Sequence, residues 1–149
     1  MDDIDQQIVA LLRQDARRSF QSIGLRVSLS APAVKRRVDR LEAAGVVRGY
    51  TAAVDPGRFG WGTHAFVALS CEGRMAAAEV REAVERHPEV EAAYTVAGES
   101  SAMLRVRARD TAHLERTLER IRDHPGVTRT QTQIVLSTLF ERPFEEPPA

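Results

Sequence analysis

The sequence predicts an α+β chain in two parts, and three observations carry that prediction. Apolar residues recur at helical spacing in three short blocks within the first 45 positions. The rest of the chain reads strand, helix, strand, strand, helix, strand. Within that second part, Arg86-His87-Pro88-Glu89-Val90 and Asp123-His124-Pro125-Gly126-Val127 both close a helix and open a strand, proline ending the helix each time. At 149 residues there is room for about one to one and a half ordinary domains, not two large ones.

Asp3 followed by Gln6 resembles a capping box, and Ile4, Ile8, Leu11 and Leu12 then predict a first helix over 3–14. Ser19 caps a second, about 20–26, with Ile23 and Val27 turned inward. Ser30 is the next good N-cap, Pro32 and Ala33 are tolerated in the following turn, and a third helix runs to Gly45, a natural C′ residue. Two helices joined by a turn of three or four residues and braced by a preceding one form a helix-turn-helix.

At about 100° per residue, Val34, Val38 and Leu41 of the third helix fall together and face the other two helices. Arg36 and Arg40 point almost directly away, flanked by Pro32, Ala33 and Asp39, with Arg37 on the shoulder. Small residues near the N-terminus admit close approach to base edges, and arginine forks onto guanine or onto phosphate. Arg36 is therefore expected in base or groove contact, and Arg37 and Arg40 mainly on phosphates. Ser30, Ala33, Lys35 and Arg48 complete the expected interface with double-stranded DNA. The bland alternative is an amphipathic surface helix. Charge weighs against it. Lys+Arg and Asp+Glu both total 21, yet residues 1–60 carry a net +3, residues 61–149 a net −3, and the stretch from Arg13 to Arg48 a net +6.

The β-branched run from Val46 to Val54 predicts a strand ending in the turn Asp55-Pro56-Gly57, and Gly57, Gly60 and Gly62 around Trp61 mark a hinge. Beyond it, strands are expected at 64–71, 90–97, 102–108 and 127–139. Helices are expected at 75–86, with Ala77, Val80 and Val84 on one face, and around Leu114, Leu118 and Ile121. This order is that of a ferredoxin-like βαββαβ domain, an antiparallel sheet with both helices on one face. The uncovered face calls for a partner, and a second copy would give a two-fold homodimer presenting the head twice, which suits a palindromic operator. The expected layout is thus 1–50 a winged-helix-like helix-turn-helix head, 51–62 a β linker, 63–140 the ferredoxin-like domain, and 141–149 an extended tail with Pro143, Pro147 and Pro148.

Other classes find little support. A composition 43% hydrophobic and 28% charged is that of an ordinary soluble globule. No apolar run approaches the roughly 18–20 residues that span a bilayer. Asp2, Asp3 and Asp5 stand where an export signal needs positive charge, so a cytoplasmic location is expected. A single cysteine, Cys71, excludes an internal disulfide and a thiolate metal cage, and packing late in an apolar strand is its simplest role. His64, His87, His113 and His124 are scattered, and neither a metal nor another cofactor is expected. Gly98-Glu99-Ser100 faintly suggests a nucleophile turn, but Ala102 replaces the second glycine, and no phosphate-binding loop or paired-histidine zinc motif is present, so no enzyme is expected.

Taken together, these pieces resemble the leucine-responsive/AsnC (feast/famine) transcriptional regulators. The resemblance is carried by Leu29-Ser30 through Val34, Arg37-Val38, Arg40-Leu41-Glu42 and Gly45-Val46-Val47-Arg48-Gly49-Tyr50, then Asp55-Pro56 and Phe59-Gly60. Val96-Ala97-Gly98, Gly126-Val127, Thr130, Thr132, Ile134, Val135 and Leu136 extend it to about Thr138. It implies a regulatory domain that dimerises by sheet packing and assembles further to tetramers or octamers. It also implies a small effector, usually an amino acid, bound by Gly98, Glu99, Ser100 and Ser101, with Thr130 and Thr132 close by. Two departures stand out. Ser101-Ala102 replaces the usual Asp-Tyr, removing the carboxylate that would meet an effector's ammonium group; an effector-independent architectural DNA binder is the alternative reading. Ser28 replaces a tight-turn glycine, at a cost of roughly 1 kcal/mol for left-handed backbone.

Overall fold

The computed structural model describes residues 1–73 and 76–141, so the expected tail lies, beyond Glu141, outside the described residues. The chain divides into two compact units, Met1–Val54 and Asp55–Ala149.

The first unit holds α1 (Asp3–Gln14), α2 (Phe20–Val27) and α3 (Ala31–Ala43). The cap of α1 is Asp2, one residue earlier than the Asp3–Gln6 spacing suggests. Asp5 N–H donates to Asp2 Oδ1 at 2.8 Å, and Asp2 N–H donates to Asp5 Oδ2 at 3.2 Å. A carboxylate at the third helical position answers both the free amide and the positive end of the helix dipole, which Gln6 could not do. Ser19 caps α2 by accepting from Ser22 N–H. That helix closes on Ser28 at φ 56°, the left-handed conformation expected where glycine is replaced. Gly24 has a steric duty in the same turn: a Cβ there would run into the Leu29 carbonyl oxygen. α3 ends in a Schellman motif, Gly45 N–H donating to Glu42 O and Val46 N–H to Leu41 O, with Gly45 at φ 70°. Ile8, Leu12, Ile23, Val27, Val34, Val38 and Leu41 form the core between the three helices.

The strand expected over 46–54 does not form. Val46 and Val47 both bond back to Leu41 O, and no strand among the described residues pairs with the stretch that follows. β-branched composition favours extended backbone, but a strand exists only with a ladder partner.

The second unit begins with a 3-10 turn, Pro56–Phe59, capped by Asp55. It continues as β1 (Thr63–Cys71), α4 (Ala77–Glu85), β2 (Val90–Thr95), β3 (Ala102–Ala108), α5 (Thr111–Arg122) and β4 (Val127–Ile134). The strands pair antiparallel in the order β2-β3-β1-β4. This is the ferredoxin-like arrangement the sequence predicts. Register places Ala65 opposite Val106, Val67 opposite Leu104 and Leu69 opposite Ala102, so one row of each strand is buried against Val80, Ala83, Val84, Leu114 and Ile121. Two expectations need correction. Ala77 is exposed, and Ala83 fills the buried face of α4 instead. β4 stops at Ile134, not Leu139, because Ile134 pairs with Ala65 and β1 begins only two residues before it. No helix among the described residues is long and apolar enough to cross a membrane.

Candidate nucleic-acid interface and ligand loop

Local sequence settles which side of α3 is presented. Val34, Val38 and Leu41 are buried, so the opposite side carries Lys35, Arg36 and Asp39, all exposed. Ser30 and Pro32 are exposed and Ala33 half-buried, leaving small side chains around the N-terminal end of the helix. Arg48, beyond the helix, is exposed.

The four cations of α3 differ in what they touch. Lys35 Nζ pairs with Asp39 Oδ2 at 2.7 Å, one turn on. Arg36 makes no ion pair among the described residues. Arg37 Nη1 lies 2.7 Å from Asp2 Oδ2 and 2.7 Å from Asp5 Oδ1. Arg40 does not project straight outward as the helical wheel suggests; its long side chain folds back so that Nη2 lies 2.9 Å from Asp5 Oδ2 and 3.1 Å from Oδ1. A guanidinium at the end of three methylenes follows the nearest carboxylate, not the direction of its Cβ.

Asp5 is the residue that sequence reading misses. Its side chain is 2% exposed, and it receives Asp2 N–H, Arg37 and Arg40. Burial pushes its carboxyl upward. The Arg37 hydrogen bond, the Asp2 amide and the Arg40 charge outweigh that and hold it below the ordinary carboxylate range. Asp2, exposed, is lowered chiefly by its hydrogen bond from Arg37. The signal was an acidic N-terminus preceding a cation-rich helix in one small domain, a complementarity that only folding turns into contact.

In the second unit, Gly98 adopts φ 138° in the loop between β2 and β3. Gly98 and Glu99 are exposed, and Ser100 and Ser101 half-buried. Ser101 N–H donates to Leu69 O at 2.8 Å, and its Oγ accepts from Cys71 N–H at 3.2 Å. Thr130 pairs with the same Leu69 from β4, so the fold brings Ser101 and Thr130 to the two sides of one residue. Thr132, opposite Val67, instead lines a groove with Thr111, Leu114, Leu118 and Ile134. Cys71 is half-buried at the end of β1. Among the described residues no three His, Cys, Asp or Glu side chains converge to hold a metal ion.

A second buried carboxylate, Glu89, also escapes sequence reading. Its Oε1 accepts from Arg120 Nη2 at 2.7 Å and lies 2.8 Å from His113 Nε2. Burial raises its carboxyl, but a backbone hydrogen bond and these two side chains bring it below the ordinary value. Arg109 N–H donates to His113 Nδ1, which leaves Nε2 to carry the proton toward Glu89.

Comparison with known proteins is consistent across both units. The model of the AsnC-type helix-turn-helix domain matches residues 1–42, and that of the Lrp/AsnC ligand binding domain matches residues 64–144. An HTH-type transcriptional regulator of Mycobacterium tuberculosis, Rv2324, is 49% identical over 142 residues, covering 95% of this chain and 96% of its own. LrpA of the same organism is 39% identical, covering 94% and 93%. Among solved structures, a feast or famine regulatory protein of M. tuberculosis complexed with L-methionine superposes with a TM-score of 0.90 at 38% identity, over 98% of this chain and 99% of that one. A Neisseria meningitidis transcriptional regulator, also with L-methionine, gives 0.84 at 28% identity, over 95% and 93%.

Proposed function

This chain belongs to the Lrp/AsnC family of transcriptional regulators, which are not enzymes, and from that premise we propose that it binds double-stranded DNA sequence-specifically under the control of a small effector. The observation that carries the reading is α3, apolar toward its own core and cationic outward, with small residues at its leading end. Arg36 contacts bases or the groove. Ser30 and Ala33 permit close approach, and Lys35, Arg37, Arg40 and Arg48 engage phosphates. Residues 1–50 act as the DNA-binding head, 51–62 as hinge, and 63–140 as the regulatory and oligomerisation domain. The sheet face away from the helices carries Phe66 and Tyr94, 40% and 57% exposed, and a second copy covers it to form a homodimer able to assemble further.

The effector is an amino acid or related metabolite held near Gly98, Glu99, Ser100, Ser101, Thr130 and Thr132, modulating DNA affinity or oligomeric state. The methionine complexes of two relatives support that class. An effector-independent architectural role is the second reading. What favours it is Ser101, which supplies no carboxylate and whose hydroxyl is already bonded to the Cys71 amide. Thermal unfolding in the presence of each of the twenty amino acids separates the two. At a hundredfold excess over Kd, a bound effector adds roughly 2.7 kcal/mol, while the architectural reading requires that none of them shifts the transition.

A further inference from the structure

Two cations of α3, Arg37 and Arg40, meet the carboxylates at the start of α1. Three of the four cations on this helix already have an anionic partner. The Lys35–Asp39 pair is solvent-exposed on both sides, 59% and 52%, and gives way readily to a phosphate. The pairs on Asp5 are different. Asp5 is buried and pairs with no other cation among the described residues, so Arg37 and Arg40 cannot both depart without stranding an anion in the protein. Two carboxylates, Asp2 and Asp5, balance two guanidiniums, and this cluster carries no net charge. Among the described residues Arg37 engages it through Nη1 and Arg40 through Nη2, and the Arg40 side chain is 62% exposed. Donors therefore remain on both groups.

We propose that Asp5, seconded by Asp2, is a specificity-determining positioning residue for DNA recognition: it fixes Arg37 and Arg40 as oriented hydrogen-bond donors while cancelling their charge, and leaves Arg36 as the unbalanced cation of α3. This rests on the reading of α3 as the DNA-contacting helix. The physical consequence is a separation of two terms that usually travel together. Affinity for any duplex comes from counterion release, which scales with unbalanced cations. Discrimination comes from geometry, which an oriented guanidinium serves better than a free one. Neutralising Arg37 and Arg40 at their base suppresses the first without losing the second.

The experiment measures the binding of the full chain to two fluorescent duplexes across a range of salt concentrations. One duplex is selected from a random library by the wild-type protein, and the other has a scrambled sequence. Asp5→Asn keeps the shape and removes the charge. The expected result is a salt dependence on the scrambled duplex steeper by roughly 1–2 in log–log slope, tighter scrambled-duplex binding at low salt, and a smaller ratio between the two duplexes. An unchanged or shallower slope with retained helical circular dichroism overturns the proposal. Should Asp5→Asn lose its fold, Asp2→Asn decides alone. That carboxylate is 54% exposed, and its removal is expected to steepen the slope by about one; no change overturns the proposal. Wild-type protein that binds no duplex in a salt-dependent way defeats the DNA-binding reading itself, and this inference with it. Salt-dependent wild-type binding with unaltered variants defeats the inference alone.

Discussion

Each of the two units buries a carboxylate and answers it with two basic side chains, and the two clusters differ in whether those partners reach solvent or close over the joint. Asp5 in the head is 2% exposed, and Glu89 in the sheet domain 5%. Asp5 joins α1 to α3, and its partner Arg40 lies mostly in solvent on a helix edge open to a polyanion. Glu89 joins the turn before β2 to α5. Its partner His113 is buried, stacked at 6.2 Å on Trp61, and Thr117 closes the cluster by donating to His113 O and accepting from Arg120. Glu89 Oε2 has no hydrogen-bond partner among the described residues, a cost borne inside the domain. The same chemistry thus holds two arginines along the rim of α3 at one site and welds helix to sheet at the other.

The largest effect that sharpens this contrast is on stability. Glu89→Ala leaves the buried His113 Nε2–H without its acceptor and takes the carboxylate from Arg120, and unfolding in urea is expected to show a loss of about 3–4 kcal/mol over the two lost bonds. Asp5→Ala is expected to cost less, about 1–3 kcal/mol, since Arg37 and Arg40 can turn to water. Equal losses would erase the distinction. A finer difference is recovery: a DNA duplex should restore part of the lost thermal stability of Asp5→Ala, its phosphates standing in for the carboxylate, and none of that of Glu89→Ala. Smallest is the response to acid. Both carboxyls titrate below their ordinary values when folded. Each therefore contributes stability that is fully present above the unfolded-state pKa of roughly 4 and is lost as pH falls through the depressed folded value. Stability measured from pH 6 downward should fall below about pH 4 for the wild type, and less steeply for Glu89→Gln.

Much of this organisation is legible in the chain. The limits of α1, the left-handed Ser28, the inward faces of α3 and β3, and the order of elements in the second unit follow from periodicity, capping chemistry and proline placement, all local properties. What escaped is relational. Asp2, not Asp3, is the cap, because Asp5 three residues on returns its bond and adds a negative charge at the helix start. The 46–54 segment had strand composition but no ladder partner, and β4 was cut short by the start of β1. Arg40 left its wheel position for a carboxylate 35 residues away in sequence. At the loop between β2 and β3, the residues could be named from sequence, yet only the register of β1 with β3 and β4 reveals that Ser101 and Thr130 flank Leu69.

The claim on which the functional reading turns is that α3 meets DNA through Arg36. The direct measurement is the affinity of Arg36→Ala for a duplex selected by the wild-type protein, beside Arg116→Ala on the exposed side of α5 as a control for lost charge. The expected result is a loss of roughly 10- to 100-fold for Arg36→Ala, in keeping with about 1–3 kcal/mol for an arginine–base contact, and little change for Arg116→Ala. Equal affinity of the Arg36 variant and the wild type, with the fold intact, would contradict it.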